Sequence, residues 1–167
     1  MAIEISKYVS YNEVVRSNTA LRKNIDNSPN AEQIERIIIL CKKVFDPLRE
    51  WVGGPVKINS VFRSKKLNDA IGGSKSSQHM ANKGAAVDID DVYKHKTNLE
   101  MFYYIKENLQ FDQLIAEFPE NGEPRWIHVS YNEGNNRNKI LIAAKINKKT
   151  TYLLYEGNEH YINPKPA

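Results

Sequence analysis

The chain has 167 residues, of which 41% are hydrophobic and 26% charged, with 8 Gly and 7 Pro. That composition belongs to a single globular domain and excludes collagen, coiled coil and long disorder. No apolar run approaches a membrane span and no signal-peptide pattern opens the sequence, so cytoplasmic synthesis is expected. The single Cys41 excludes an intramolecular disulfide framework and a cysteine-rich zinc finger. A net charge of +4 is too weak to indicate nucleic acid, and no basic helix with interleaved aromatics is present.

In chain order, Tyr11–Ser17 reads as a short helix. Ser28-Pro29 has the form of a helix start, with Ser as N-cap and Pro at the first helical position. Ile34, Ile37, Ile38, Cys41, Val44, Phe45 and Leu48 follow at steps of three and four, which makes one apolar helical face. Cys41 lies on that face and is expected to be a small buried hydrophobe. Pro47 should kink the helix or end it near Asp46, and Gly53-Gly54-Pro55 marks a turn. A strand is expected at Val56–Phe62, a helix at Lys65–Ile71 and a polar loop from Ser74 to Gly84. Ala85–Asp90 reads as a strand and Thr97–Leu109 as a helix. Strands at Gln113–Phe118, Trp126–Tyr131, Lys139–Ile146 and Thr151–Tyr155 complete the chain. Helices first and closely spaced strands later predict an α+β fold, with a mostly antiparallel sheet and helices packed on one side. Residues 1–135 are expected to form the functional domain, and 136–167 a C-terminal β extension of that same domain.

The four histidines are His79, His95, His128 and His160. His79 lies in the loop just before Ala85–Asp90. In that strand Ala85, Val87 and Ile89 share one face, and Ala86, Asp88 and Asp90 the other. Trp126, His128 and Ser130 likewise oppose Ile127, Val129 and Tyr131. If the two strands are neighbours, two imidazoles and a carboxylate converge. Such a set suits Zn²⁺ with a water in the fourth position, the equipment of amide hydrolysis. The alternation alone also accommodates half-buried structural histidines and a turn aspartate.

Four segments taken together carry a resemblance. They are Val61-Phe62-Arg63-Ser64, Gly72-Gly73-Ser74-Lys75-Ser76-Ser77-Gln78-His79, Gly84-Ala85-Ala86-Val87-Asp88-Ile89 and Trp126-Ile127-His128-Val129-Ser130. Over residues 8–131 the chain resembles the zinc peptidases of the D-Ala-D-Ala carboxypeptidase type. That family includes L-alanyl-D-glutamate endopeptidases of phages and bacteria and shares its fold with the hedgehog signalling domain. The resemblance implies Zn²⁺ held by His79, Asp88 and His128, with Asp90 at the rim. It implies Arg63 as an oxyanion or substrate-carboxylate clamp, a task that a structural ion pair would equally explain. Ser77, and with it Ser130, becomes a substrate-binding candidate.

There are two departures. The family signature has two residues between the first histidine and the glycine, where Met80-Ala81-Asn82-Lys83 supplies four. The family's base, often a Glu three residues before the last histidine, is replaced by Arg125, which cannot accept a proton. Glu117 is expected as the general base, with Glu123 the alternative.

The function so implied is zinc-dependent cleavage of the peptidoglycan stem peptide by a monomeric cell-wall lysis enzyme, whether phage-encoded, virion-associated or a bacterial protein exported by another route. The alternatives are a D-Ala-D-Ala carboxypeptidase and a non-catalytic zinc-containing wall-binding module. The acid-free stretch 135–150, with Arg137, Lys139, Lys145, Lys148 and Lys149, reads as a solvated hairpin or a contact for anionic wall polymers.

Overall fold

The computed structural model describes residues 3–157. His160 and the end of the expected extension lie outside the described residues. Short helices α1 (Tyr11–Val15) and α2 (Asn18–Lys23) come first, each capped by a serine, Ser10 and Ser17. Helix α3 (Ala31–Leu40) starts two residues later than the Ser28-Pro29 pattern predicts. Asp26 accepts the Ser28 N–H, so that serine sits in a turn. Asn30 and Gln33 instead exchange hydrogen bonds as a capping box.

The chain does not break at Pro47. A π-helical turn, Cys41–Phe45, follows α3 and leads into α4 (Asp46–Val52). In that wider turn Asp46 N–H reaches back five residues to the Cys41 carbonyl. Pro47 thereby falls in the first turn of α4, where a missing N–H costs little. Of the predicted apolar stripe, Ile37, Cys41, Val44, Phe45 and Leu48 are buried and Ile34 and Ile38 pack partly buried against the same core, which Leu40 also joins. Burial pushes the Cys41 thiol up to about 12, as expected of a packing residue.

Six strands follow: β1 (Lys57–Ser60), β2 (Ala85–Asp90), β3 (Gln113–Glu117), β4 (Trp126–Tyr131), β5 (Lys139–Ile146) and β6 (Lys149–Leu154). Helix α5 (Lys65–Ala70) separates β1 from β2, and α6 (Asn98–Asn108), opened by a Thr97–Glu100 capping box, separates β2 from β3. The sheet order is β1-β2-β4-β3-β5-β6. All pairings are antiparallel except β3 with β5. The mixed α+β fold with its mostly antiparallel sheet is therefore the one expected.

Strand alternation divides the sheet into two faces. Val87, Ile89, Leu114, Ala116, Ile127, Val129 and Ile142 join the helices in the main core. Helices α3 and α6 pack there, against β2 and β4 and against β3 and β4. The other face carries Asp88, His128, Ile115 and Glu117. Among the described residues no helix is long and apolar enough to cross a membrane.

Candidate active site and metal centre

Strand register alone brings two of the polar groups together. Asp88 of β2 lies opposite His128 of β4, and Ser60 of β1 lies opposite Asp88. His79 arrives from a 3-10 turn, Gln78–Met80, where Ser77 Oγ accepts the His79 N–H at 3.3 Å. The four residues Met80–Lys83 are accommodated by α3. Gln33 donates to the Met80 carbonyl, Arg36 to that of Ala81, and Ala81 takes a left-handed φ of 54°. Gly84 then enters β2 with φ +78°, and a Cβ there would run into the Tyr131 carbonyl.

Among the described residues, His79, Asp88 and His128 can each offer one donor atom within 4.8 Å of the others. Asp88 Oδ1 is 2.9 Å from His128 Nδ1, and Asp88 Oδ2 is 3.2 Å from His79 Nε2. Tetrahedral bonds of about 2.0–2.2 Å place neighbouring donors roughly 3.3 Å apart, so the set fits a small divalent ion. The His79 tautomer is fixed by its partner. Nδ1 is 2.7 Å from the Val61 carbonyl, which only accepts, so Nδ1 carries the proton and Nε2 keeps its lone pair.

Burial opposes the charge on Asp88, but His79 and His128 outweigh it and hold the carboxyl well below the usual range. Burial likewise lowers the His79 pKa, favouring the neutral, ligating imidazole. Arg63 Nη2 donates to Asp88 Oδ2 at 3.0 Å, and its Nε donates to Ser60 Oγ at 3.1 Å. The Arg63 backbone N–H donates to the His79 carbonyl. Asn27, which sequence reasoning left without a role, staples this corner. It donates to the Val15 and Phe62 carbonyls and accepts the Ser64 N–H at 2.7 Å.

Glu117 ends β3 on the same face, opposite Trp126, and is only 7% exposed. Burial raises its carboxyl to about 7; the Asp88 charge adds to the rise, while His128 and Arg63 restrain it. Glu123 lies elsewhere: its Oε2 accepts the Leu99 N–H at 3.0 Å, in the first turn of α6. Arg125 forms an exposed pair with Glu120. Asp90 accepts from Asn98 and the Asp91 N–H at the rim. Ser130 is fully buried, and its hydroxyl accepts the Gln113 N–H at 3.0 Å.

Asp112, just before β3, was also invisible to sequence reasoning, because its partners lie 25 and 34 residues away. Its buried carboxylate accepts two side-chain bonds and one backbone bond from Arg137, and one bond from Gln78 Nε2 at 2.8 Å. Arg137 is thus a clamp rather than a solvated hairpin charge, and through Gln78 it braces the turn that carries His79. Asp112→Ala is expected to destabilise the protein by about 1–2 kcal/mol, since it removes the buried acceptor of four hydrogen bonds while the half-exposed Arg137 can turn to water. Urea unfolding measures this, and a change below about 0.5 kcal/mol would deny the clamp its weight.

Two imidazoles and a carboxylate around one point, beside a buried carboxyl tuned near neutrality, are the equipment of a metallopeptidase. No curated protein matches the sequence. A family model described as Peptidase M15 matches residues 7–130, and the chain belongs to that family. The resemblance read from residues 8–131 thus holds, and the protein is a metallopeptidase.

Proposed function

We propose that this peptidase binds Zn²⁺ through His79, Asp88 and His128 and cleaves the stem peptide of bacterial peptidoglycan as an L-alanyl-D-glutamate-type endopeptidase. The observation that carries the reading is the His79–Asp88–His128 cluster with Glu117 buried on the same sheet face, inside a chain of the M15 family. When bound, zinc polarises a scissile carbonyl and makes water a stronger acid.

The protein groups do the rest. Glu117, with a pKa raised towards 7, takes a proton from the attacking water and returns it to the leaving amine. Glu123 is engaged at α6, which favours Glu117 over it. Arg63 holds Asp88 in its ligating orientation and sets a fixed positive charge beside the carbonyl oxygen as it gains charge. His79, oriented by the Val61 carbonyl, keeps Nε2 for the metal.

Mass spectrometry of purified peptidoglycan digested with and without chelator tests this. New L-Ala and D-Glu termini that vanish with chelator and return with zinc are expected. Release of free D-Ala alone would replace the endopeptidase with a carboxypeptidase. Absence of any metal-dependent product would overturn the assignment.

A further inference from the structure

The matched family region ends at residue 130, yet the sheet continues into β5 and β6 on the face that carries the site. Glu117 pairs with Trp126 on one side and Ala143 on the other, and Ala143 pairs with Tyr152. Paired residues project to the same face, so this row runs from Trp126 through Glu117 to Tyr152. The next row runs from Asp88 through His128, Ile115 and Leu141 to Leu154. One row passes through the proposed base and the other through the candidate metal centre, and both end on β6.

Their outer ends are open. Tyr152 is 54% exposed and Leu154 59%, large apolar groups that a strand at a sheet edge has no structural reason to present. Beneath them Ile115, Leu141 and Ala143 form a small apolar cluster with Phe118. Phe118 has a φ of +45°, which turns its ring back onto this face, 5.4 Å from the Trp126 ring. Lys145 Nζ lies 5.6 Å from the Phe118 ring centre and donates to Thr150 Oγ1 at 2.8 Å. An ammonium has three donors, so Lys145 can bind a ligand anion as well. Burial, then the charges of Glu117 and Asp88, raise the Tyr152 pKa, so its phenol lies within electrostatic reach of both carboxyls.

We infer that the hairpin β5–β6 is a substrate shelf, on which Tyr152 and Leu154 cradle the stem peptide to one side of the scissile bond and Lys145 pairs with one of its carboxylates. This deepens the proposed function and rests on it for the identity of the substrate. The shelf is continuous with the site through the two strand rows. Its character, apolar rings with a cation at the border, matches a short peptide of small side chains and free carboxylates.

The test is calorimetric titration of a soluble disaccharide-stem-peptide fragment into zinc-loaded protein, in a Glu117→Gln background that prevents turnover. Adding Tyr152→Ala is expected to raise Kd about tenfold, as is Leu154→Ala to a smaller extent, with zinc content and Tm unchanged. Tyr152→Phe is expected to keep most of the affinity, since the ring makes the contact. Lys145→Ala should weaken binding of the native fragment more than that of its carboxyl-amidated form. An unchanged Kd in both Tyr152→Ala and Leu154→Ala overturns the shelf, while cleavage by the unsubstituted enzyme leaves the proposed function standing. Conversely, failure of the unsubstituted enzyme to cleave sinks the proposed function, and the Kd series still decides the shelf. Absence of binding by every form overturns the shelf.

Discussion

Replacing Glu117 with Gln is expected to lower peptide hydrolysis by about 10²–10⁴-fold and, in the same protein, to raise the Tm of the metal-free form at pH 8.5. Both effects arise from one desolvated carboxyl. In the folded chain burial raises Glu117 from its ordinary value of 4.5 to about 7. A carboxyl whose folded pKa exceeds its unfolded one opposes folding when ionised. That cost is fully present above pH 7, fades between about 7 and 4.5, and is absent below. A rise of this size corresponds to about 3 kcal/mol at pH 8.5, or roughly 5–10 °C in Tm. Gln has the shape without the charge and should recover most of it. Thermal melts of both forms in chelator, at pH 8.5 and pH 4, check the sign: the gap should close in acid. A Gln variant that stays active would remove Glu117 from the role of base. One that melts lower at both pH values would show that the carboxyl is satisfied as an anion.

Zinc should bind at one ion per chain and raise Tm by about 10 °C at concentrations near 1,000 times Kd, because only the folded state gathers the three donors. His79→Ala, Asp88→Ala and His128→Ala are each expected to abolish both the stoichiometric metal and the shift. They should differ when no metal is added. Asp88→Ala strands the Arg63 guanidinium, whose side chain is 20% exposed, at a cost of about 3–5 kcal/mol. His128→Ala leaves the Arg63–Asp88 pair intact and should cost less. The acid limb of stability belongs to Asp88 as well. Its folded pKa is depressed, so its contribution is present above the unfolded value of 3.8 and is lost as pH falls below it. Metal analysis with calorimetric melts tests the set. Undiminished zinc in any of the three variants would take that residue out of the coordination shell.

What could be read beforehand had a local cause. Ala85–Asp90 and Trp126–Tyr131 announce themselves because an apolar residue at every second position leaves one backbone geometry that buries them all. The same alternation places Asp88 and His128 on the opposite face before any pairing is known. The helix expected at Thr97–Leu109 also has a local start, where the structure adds a reciprocal bond between Thr97 and Glu100. Helix α2 was missed because its only buried residue is Ala20, so no stripe betrays it. Asn30 outcompetes Ser28 as N-cap through a Gln33 reply that the Ser-Pro pattern obscures. The Asp112–Arg137–Gln78 clamp and the Asn27 staple join residues 12 to 37 positions apart and leave no periodic trace. The side of β6 that shares a sheet face with Glu117 and Asp88 was hidden for another reason. Thr150, Tyr152 and Leu154 alternate with Thr151 and Leu153, and only the parallel pairing of β5 with β3 decides which set meets the site.

The placement of Asp88 directly across from His128 also bears on how errors are avoided during assembly. A slip of one residue between β2 and β4 would face Val87 or Ile89 with an imidazole and turn one strand over, carrying either Asp88 or His128 into the helical layer. Forty positions separate the pair along the chain, so local preference cannot enforce the alignment. A divalent ion at the proposed site would, because His79, Asp88 and His128 meet only where the two strands have paired in the right frame. It would thereby act as a proofreader of strand alignment. Its grip should appear chiefly as slower unfolding, since it is available only after the pairing has been made.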